Sequence, residues 1–472
     1  MGSLLRQAVS LRIQPPALPG LDPVFAAARD AAKARKSRAL VVGGYVRDRL
    51  LGGDRERELH EVDILVTEGQ ALTVAEEVAR RLGLRAPVVF PRFGTAHLPA
   101  ADWTVEFVST RSERYDPSSR KPDVRPGTLE EDVSRRDFTV NALLMDWDGA
   151  VLDPTGRGLL DLKERRIMTP LDPELTLDED PLRMLRAVRF ATTLEFSVDE
   201  SVRRAIRRHN ARLGPPVVSM ERIQEEMRKL LLARNLSPGL QLLDECGLLN
   251  RILPELEAGR GMEQGGWHSH DVLGHNLLTA ALAPPELVTR LSGLLHDVGK
   301  PATRELKDGR ITFIGHQEVG AQMAAQALER LRFPGHVIDA VVALVRLHMR
   351  PISYDPTTWE DKAVRRLVRD AGLQLERLLE LARADMRASH YPEVIKIDHL
   401  ESRIRALDAA AISRLRSPLT GDELMAGTGR TAGPWIRRAK AALEEALVDG
   451  VIPPDRDAAW RFLEEHPELL RD

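Results

Sequence analysis

The sequence has 472 residues, enough for three or four domains that each bury a core. Hydrophobic residues make up 43% and charged residues 29%, as in a soluble globular protein, and no apolar run reaches membrane-spanning length. The net charge of −3 by itself argues against a nucleic-acid binder, so the distribution of charge has to decide that question.

The cysteine content and the N-terminal residues favour a cytoplasmic protein without a membrane partner. The single cysteine, Cys246, excludes an internal disulfide and a cysteine zinc site. Arg6 and Arg12 interrupt the apolar residues near the N-terminus, so we expect no signal peptide.

The first motif is a strand, a glycine pair and a helix. The apolar strand Ala39–Val42 runs into Gly43 and Gly44, and Tyr45–Leu51 has a helical pattern. Glycines let the backbone approach a phosphate, and the N–H groups that begin the next helix point at such an anion. The pattern predicts a nucleotide-binding turn, and the alternative is an ordinary turn between a strand and a helix.

Carboxylates follow on two predicted strands. Glu61 and Asp63 are two residues apart, so on the strand Val62–Val66 and its start they project to one face. Glu106 lies inside the strand Thr104–Val108, where a core would not favour a carboxylate. Carboxylates on one face suit two divalent ions that bridge a triphosphate, and we therefore expect Mg²⁺ here. The alternative is a solvent-facing acidic strand end.

The remaining elements of this region are predicted from periodicity and turn residues. We expect helices at Asp22–Lys36 and Gln70–Leu82, a strand at Val88–Phe90, a turn at Phe93–His97, and a long loop at Ser112–Gly127. A loop of that length in a compact domain is either functional or mobile.

Three motifs in this order carry a family resemblance: GGYVRD with ExD at 43–63, RRDFTVNA at 135–142, and EDPLRMLRAVRF at 179–190. The combination resembles the bacterial class II tRNA nucleotidyltransferases and poly(A) polymerases, within the polymerase-β-type nucleotidyltransferases, over most of residues 35–255. The resemblance implies an α+β fold, with a small mixed sheet in a catalytic head followed by an all-α neck, HD and tail region. The family usually has Asp where this sequence has Glu61, whose longer arm suits Mg²⁺ geometry less well.

The resemblance also implies the residues of the site. Metal ligands would be Glu61, Asp63 and Glu106, and the nucleotide would contact Gly43, Gly44, Arg47, Asp48, Arg136, Asp137, Asn141, Glu179, Asp180, Arg183, Arg186 and Arg189. Arginine forks bind phosphates, and Asp and Asn read sugar hydroxyls. Asp180 and Arg183 are three apart on a predicted helix, so they share a face and would choose CTP or ATP by the base edge. The alternative is a salt bridge within that helix.

Basic residues are concentrated after this motif. Between Pro181 and Arg234 there are twelve Arg and Lys against six Asp and Glu, and one predicted helix carries Arg203, Arg204, Arg207, Arg208 and Arg212. We interpret this as a surface for RNA phosphates, and the alternative is a solvated helix face. The segment 418–445, with Arg430, Arg437, Arg438 and Lys440, resembles the family's tRNA-binding tail. The loop at 112–127 would help to switch between C and A, although Arg111, Arg114 and Asp116 match its pattern only loosely.

A second constellation consists of His275, His296, Asp297, His316, His348 and Asp385. Adjacent His and Asp in LLHDVGKP, with the other ligands at these spacings, resemble the HD phosphohydrolase superfamily. Neutral imidazoles and aspartates suit a transition metal or Mg²⁺ that activates water, and Lys300 is a candidate phosphate contact. Some appended HD domains of the resembling family hydrolyse 2′,3′-cyclic phosphates or phosphomonoesters, and others are inert.

We therefore predict four domains, at residues 1–165, 166–260, 261–395 and 396–472. The predicted activity is addition of C, A or both to the tRNA 3′ end from CTP and ATP, without a nucleic-acid template. A CC-adding or A-adding specialist and a poly(A) polymerase share these motifs and remain open. From other classes, an HD phosphohydrolase with an RNA-binding head and a non-catalytic RNA-binding protein also remain open, as does the oligomeric state.

Overall fold

The protein is described here by a computed structural model that covers residues 9–12, 21–52, 61–68, 70–91, 94–100, 103–114, 123–264, 269–307, 309–389, 394–407 and 417–471. The chain divides into two compact units, Met1–Ile252 and Leu253–Asp472. The four predicted domain bounds are finer than this division and stay a prediction. No helix in the described ranges is long and apolar enough to cross a bilayer.

The first unit begins with an α/β region. Its elements are β1 (Val9–Arg12), α1 (Asp22–Ala34), β2 (Ala39–Val42), α2 (Gly44–Leu51), β3 (Glu61–Val66), α3 (Ala71–Leu82), β4 (Val88–Phe90), β5 (Thr95–Ala100), β6 (Trp103–Ser109), β7 (Arg111–Arg114), β8 (Asp123–Pro126), α4 (Leu129–Ser134), β9 (Leu144–Met145), β10 (Ala150–Leu152), α5 (Gly158–Lys163) and β11 (Arg166–Ile167). Helices α6 (Pro173–Glu179) and α7 (Leu182–Leu194) follow, then β12 (Ser197–Val198), α8 (Glu200–His209), α9 (Met220–Leu231), α10 (Ser237–Glu245) and α11 (Leu248–Ile252).

Eight strands form one mixed sheet in the order β1-β10-β9-β2-β3-β6-β5-β4. The central strands β3 and β6 are parallel, and their neighbours in the sheet pair antiparallel. Helices α1 and α3 pack on each other and on the sheet, with α1 against β2 and α3 against β5 and β6. Buried aliphatic side chains of β2, β3, β9 and β10 form one core cluster, which includes Leu40, Leu65 and Leu144. The predicted small mixed sheet is therefore confirmed.

The turn predicted at Phe93–His97 is wrong, because its last three residues belong to strand β5. This strand pairs with both β4 and β6. Its residues Ala96, Leu98 and Ala100 are buried, which is the alternation of a half-buried strand. Gly94 has a positive φ of 62° and marks the real bend one residue earlier.

The long loop predicted at Ser112–Gly127 is partly a ribbon. Strands β7 and β8 pair antiparallel, with Arg111 opposite Pro126 and Arg114 opposite Asp123. Asp116 and the rest of residues 115–122 lie outside the described residues. The loop prediction therefore fails for the two ends of the segment.

The second unit is mostly helical. Its elements are α12 (Val272–Leu282), α13 (Leu287–Leu295), β13 (Glu305–Lys307), β14 (Arg310–Thr312), α14 (His316–Arg330), α15 (Gly335–Leu347), α16 (Met349–Ile352), α17 (Asp361–Ala371), α18 (Leu375–Ala388), α19 (Ile395–Ala406), α20 (Gly421–Thr428), α21 (Pro434–Val448) and α22 (Arg456–Glu465). Helix α18 packs against α12 and α13, while α14 and α15 form an antiparallel pair. The last three helices bury their own apolar cluster around Trp435, Leu443 and Leu463.

Candidate functional sites

The glycine turn brings the start of α2 beside the carboxylate of β3. Gly43 has φ 81° and ψ −137°, a conformation that side chains with a Cβ rarely adopt. A Cβ built on Gly43 would lie 3.5 Å from Oδ2 of Asp63 and 3.8 Å from Nη1 of Arg136. The turn, the strand carboxylate and the RRD motif therefore meet at one point.

The parallel register of β3 and β6 sets the carboxylates side by side. Asp63 is the partner of Glu106, and Glu61 is the partner of Thr104. Burial raises the pKa of Asp63 to about 6, with Glu106 and Glu61 adding to the rise while Arg136 and His97 oppose it. Repulsion between these carboxylates is what a bound divalent cation would relieve, so Asp63 and its register partner Glu106 fit the expected metal. With Glu61 they do not bring three ligand atoms within 4.8 Å of one another.

His97 is a member of this group that the sequence prediction missed. It lies opposite Glu106 on β5, and its Nε2 is 3.2 Å from Oε1 of Glu106. The ring of Phe90 lies 5.1 Å from the ring of His97. Alternation of buried residues along Thr95–Ala100 was the sequence signal that could have found this histidine, which lies on the same face of the sheet as Glu106.

Arg135 and Arg136 are held by Asp132, a second residue that the prediction missed. Asp132 is completely buried, and its Oδ2 accepts from Nη2 and Nε of Arg136 at 3.0 and 3.2 Å. Burial raises the pKa of Asp132, but Arg136 and Arg135 outweigh it and lower the pKa below its ordinary value. A capping box of Thr128 and Glu131 begins the helix α4 that carries Asp132.

A buried polar chain connects the glycine helix to the RRDFTVNA motif. Arg47 donates to both carboxylate oxygens of Asp48 at 2.8 and 2.7 Å, and to Oδ1 of Asn141 at 2.6 Å. Asn141 in turn donates to Oδ1 of Asp137 at 3.1 Å. Four predicted site residues therefore form one hydrogen-bonded network, although the sequence separates them by up to 94 positions.

The network continues into the EDPLRMLRAVRF motif. Arg186 on α7 donates to Oδ2 of Asp137 at 2.8 and 2.6 Å. Although burial raises the pKa of Asp137, Arg186 and Asn141 bring it down to about 2. The carboxylate of Asp137 is thus charged at neutral pH. It is also fixed in place, because side chains from two different motifs donate hydrogen bonds to its oxygens.

Glu226 on α9 is a third missed residue, and it neutralises two arginines of α7. Its Oε1 lies 3.3 Å from Arg186, and its Oε2 accepts from Nε of Arg189 at 2.5 Å. The guanidinium of Arg189 stacks 3.9 Å above the ring of Phe190. Glu226 is 4% exposed, and its position three residues after Ile223 on the apolar face of α9 was the available signal.

The prediction that Asp180 and Arg183 share a helical face is wrong. Asp180 lies between α6 and α7 with extended backbone, φ −135° and ψ 96°, because a residue before proline avoids the helical region. Arg183 binds Glu179 instead, at 3.2 Å, so the predicted alternative of a salt bridge to Asp180 also fails.

The two predicted base-reading residues are fixed by other groups. Arg183 also donates to the carbonyl oxygens of Thr176, at 3.0 Å, and of Arg135. Oδ1 of Asp180 accepts from the backbone of Leu182 at 3.2 Å. Its Oδ2 accepts from Nη2 of Arg222 on α9 at 2.8 Å.

The predicted basic surface of α8 is partly neutralised. The prediction that one helix carries all five arginines is wrong for Arg212, which follows the end of α8 in a short 3-10 turn. Four of the five have carboxylate partners: Arg203 with Glu245, Arg207 with Glu200, Arg208 with Glu174, and Arg212 with Asp178. Such exposed pairs are worth little, so phosphates can replace the carboxylates. In the tail, Arg437 and Arg438 are exposed on α21, while Arg430 lies over the ring of Trp435.

The predicted HD residues come together in the second unit as two groups that share Asp297. Nε2 of His275 and Nε2 of His296 are 3.1 Å apart, and both lie within 3.6 Å of Oδ2 of Asp297. Nε2 of His316 and Nε2 of His348 are 3.2 Å apart and lie 3.3 and 3.7 Å from Oδ1. Asp385 joins the first group, with Oδ1 3.1 Å from His275.

The second ring nitrogens fix which atoms face the centre. Nδ1 of His296, His316 and His348 lies 2.9, 2.8 and 2.7 Å from a backbone carbonyl oxygen three residues earlier. A carbonyl oxygen only accepts, so each Nδ1 carries a proton, and in the neutral ring Nε2 presents its lone pair. Within the described ranges, the clusters His275–His296–Asp297 and Asp297–His316–His348 are the groups with three ligand atoms within 4.8 Å.

Charge and an adjoining cavity complete this second site. Burial raises the pKa of Asp297, but His296 and Lys300 hold it well below its usual range. Nζ of Lys300 is 2.6 Å from both Oδ2 of Asp297 and Oε1 of Gln264. A cavity of about 510 Å³ opens beside Asp297 and Lys300, with apolar walls that include Phe313 and Met349. The imidazole and carboxylate groups beside this cavity could therefore hold a metal ion.

Three family models match successive parts of the chain. Residues 39–168 match the family described as Poly A polymerase head domain, residues 195–259 match the probable RNA and SrmB-binding site of polymerase A, and residues 272–397 match the HD domain.

Two curated relatives match across much of their length. The A-adding tRNA nucleotidyltransferase of Deinococcus radiodurans is 36% identical over 72% of this chain and 81% of its own. The CC-adding tRNA nucleotidyltransferase of Thermus thermophilus is 35% identical over 89% of this chain and 92% of its own. The crystal structure of the Bacillus stearothermophilus CCA-adding enzyme in complex with CTP matches with a TM-score of 0.66 and 25% identity, over 96% of this chain and 99% of that one. The chain therefore belongs to the tRNA nucleotidyltransferase and poly(A) polymerase family of enzymes.

Proposed function

We propose that this protein adds C, A or both to the 3′ end of tRNA from CTP and ATP, without a nucleic-acid template. The observation that carries the proposal is the register of Asp63 beside Glu106, next to the positive-φ turn at Gly43. This arrangement joins a cation site to the N-terminus of a helix, as a triphosphate requires. A tRNA substrate also fits the expected cytoplasmic location.

Asp63, Glu106 and Glu61 would hold Mg²⁺, which supplies Lewis-acid activation of the 3′-hydroxyl and neutralises the triphosphate. The N–H groups of α2 and the guanidinium of Arg136 orient the phosphates. The 3′-oxygen forms a bond to the α-phosphorus as the bond to the leaving pyrophosphate breaks in line. Positioning and electrostatic stabilisation provide the rate enhancement, because the protein forms no covalent bond to substrate in this displacement.

Asp180 and Arg183 would choose the base. An ionised carboxylate only accepts hydrogen bonds, so at position 4 of a pyrimidine or 6 of a purine Asp180 would favour the amino group of cytosine or adenine over the carbonyl oxygen of uracil or guanine. In this structure the guanidinium of Arg183 is bonded to the carbonyl oxygen of Arg135, so Arg183 holds the segment that carries Asp180 beside the RRDFTVNA motif.

The test is incorporation of labelled CTP or ATP, with Mg²⁺, into tRNA transcripts that end at the discriminator base, in C, or in CC. CCA addition to the first transcript would identify a full CCA-adding enzyme. Addition of CC alone to that transcript, or of A alone to the CC-ended one, would identify a specialist. A long A tail on unrelated RNA would identify a poly(A) polymerase.

Asp63→Asn should reduce incorporation by at least about a hundredfold, since it removes a metal ligand at the reacting phosphate. Asp148→Asn is the matched control, because Asp148 is exposed in the turn before β10, which pairs with β9 and lies outside the carboxylate group. No incorporation by the wild-type protein on any of these RNAs would contradict the proposal.

We propose a second activity, metal-dependent hydrolysis of a phosphate ester, for the second unit. The observation that favours it is the convergence of four histidine Nε2 atoms and two carboxylates beside an open cavity. A bound transition metal or Mg²⁺ would activate water, and Lys300 would contact the phosphate.

This second proposal is tested with a phosphomonoester and a 2′,3′-cyclic nucleotide in the presence of Ni²⁺, Mn²⁺ or Mg²⁺. Asp297→Asn should abolish both hydrolysis and calorimetric metal binding, because Asp297 is common to both ligand groups. Asp63→Asn should leave hydrolysis unchanged. Failure of the wild-type protein to bind any of the three metals in this unit would refute the assignment.

A further inference from the structure

Arg222 touches the proposed base-reading carboxylate but lies in none of the motifs that carry the family resemblance. It is the third residue of α9, and its Nη2 donates to Oδ2 of Asp180 at 2.8 Å. The side chain of Arg222 is 47% exposed, whereas that of Asp180 is 18% exposed. The pair therefore stands at the edge of the site, with the guanidinium toward solvent and the carboxylate inward.

Asp180 has little local structure to hold its carboxylate. It lies outside both α6 and α7, in extended backbone, so its side chain is held by the two hydrogen bonds to its carboxylate oxygens. Its Oδ1 is fixed by the backbone N–H of Leu182, and Arg222 supplies the bond to Oδ2. A carboxylate offers about four lone-pair sites, so these two bonds leave acceptor capacity for a base amino group.

Helix α9 is itself anchored to the base-reading segment. One turn after Arg222, Glu226 binds Arg186 and Arg189 of α7, which begins two residues after Asp180. Residues four apart on a helix share a face, so the same face of α9 contacts the segment before α7 and α7 itself. The guanidinium of Arg222 is thereby held at a defined distance from the carboxylate.

We propose that Arg222 is a positioning residue for nucleotide selection, which holds the carboxylate of Asp180 in the orientation that meets the base. The inference rests on the proposed role of Asp180. It adds Arg222 as the residue on which the accuracy of nucleotide selection by Asp180 depends. Arg222 keeps its charge at every working pH, and its planar donors restrict the rotation of the carboxylate. Without it, the freed Oδ2 would rotate, and discrimination by the amino group of the base would weaken.

The experiment compares kcat/KM for CTP and ATP with kcat/KM for UTP and GTP, on the transcript that the wild-type protein extends. Arg222→Gln should lower this selectivity by about ten- to a hundredfold, the usual effect of losing a hydrogen bond to a charged group. Most of the change should appear as faster UTP or GTP use and higher KM for the correct nucleotide, with kcat little altered. Arg222→Lys should restore part of the selectivity.

Arg228→Gln is the matched control, because Arg228 is on the same helix and forms an exposed pair with Glu225 at 2.9 Å. It should keep wild-type selectivity. The double variant Asp180→Asn with Arg222→Gln should be no less selective than Asp180→Asn alone, since Arg222 acts through Asp180.

Two outcomes separate this inference from the function on which it rests. If the wild-type protein selects CTP or ATP and Arg222→Gln selects equally well, the inference is wrong and the proposed function stands. Independent, additive losses in the double variant would also overturn it. If the wild-type protein incorporates nothing, the proposed function itself fails.

Discussion

Burial, together with Glu106 and Glu61, raises the pKa of Asp63 from 3.8 to about 6, so its ionisation opposes folding. The stabilisation from the neutral carboxyl is complete below pH 3.8 and is lost as pH rises through about 6. Above that pH the metal-free protein carries a destabilising charge, which a divalent cation would compensate. Catalytic requirement and folding stability therefore conflict at this residue.

We predict that Asp63→Asn stabilises the metal-free protein although it inactivates nucleotide addition. At about 1.4 kcal/mol per pKa unit, the free energy of unfolding at pH 8 in EDTA should rise by about 1–3 kcal/mol, with little change at pH 4. Urea unfolding at both pH values measures this, with Asp148→Asn as the control. Equal effects of Asp63→Asn at both pH values would show that the carboxylate charge is not the cause.

Glu226 on helix α9 provides the next test, because its carboxylate neutralises Arg186 and Arg189 of α7. Glu226→Ala would leave Arg186 and Arg189 without their shared carboxylate, and breaking a buried ion pair costs about 3–5 kcal/mol. Glu225→Ala is the control on the same helix, since Glu225 pairs with Arg228 at the surface and should contribute less than about 1 kcal/mol. Thermal and urea unfolding compare the two variants. Similar losses would mean that the buried network does not stabilise the first unit.

The helices show what periodicity predicts and where it stops. The predicted helices at Asp22–Lys36, Tyr45–Leu51 and Gln70–Leu82 are confirmed within two residues, because each is a local amphipathic pattern. Strand β5 was missed because Gly94 and Pro99 are turn residues, and their signal masked the alternation between them. The helix expected across Asp180 is interrupted, because Pro181 keeps the residue before it out of the helical region.

At the scale of the whole molecule, the order of the motifs predicted two chemical centres in one chain. Asp63 and Glu106 were predicted as carboxylates of one site from their strand positions and the family resemblance, and the structure adds that they are register partners. The six HD residues were predicted because His296 and Asp297 are adjacent and the other histidines have the spacing of that superfamily. Asp132, Glu226 and Arg222 were not predicted. Their roles depend on ion pairs formed in the folded chain, and a charged residue on an amphipathic helix has the same sequence pattern whether or not it meets a partner.

The break between α6 and α7 has a consequence for what a mutation there would change. Asp180 and Pro181 support only the first turn of α7, where their carbonyl oxygens accept from the backbone N–H groups of Arg183 and Met184 at 3.0 and 3.1 Å. The later turns of α7 do not depend on the side chain at position 180. On the proposed mechanism, nucleotide preference depends on this break, whereas the chemistry depends on the β3–β6 register. Mutations at the break would then weaken the choice of amino-bearing over carbonyl-bearing bases and leave the β3–β6 pair intact.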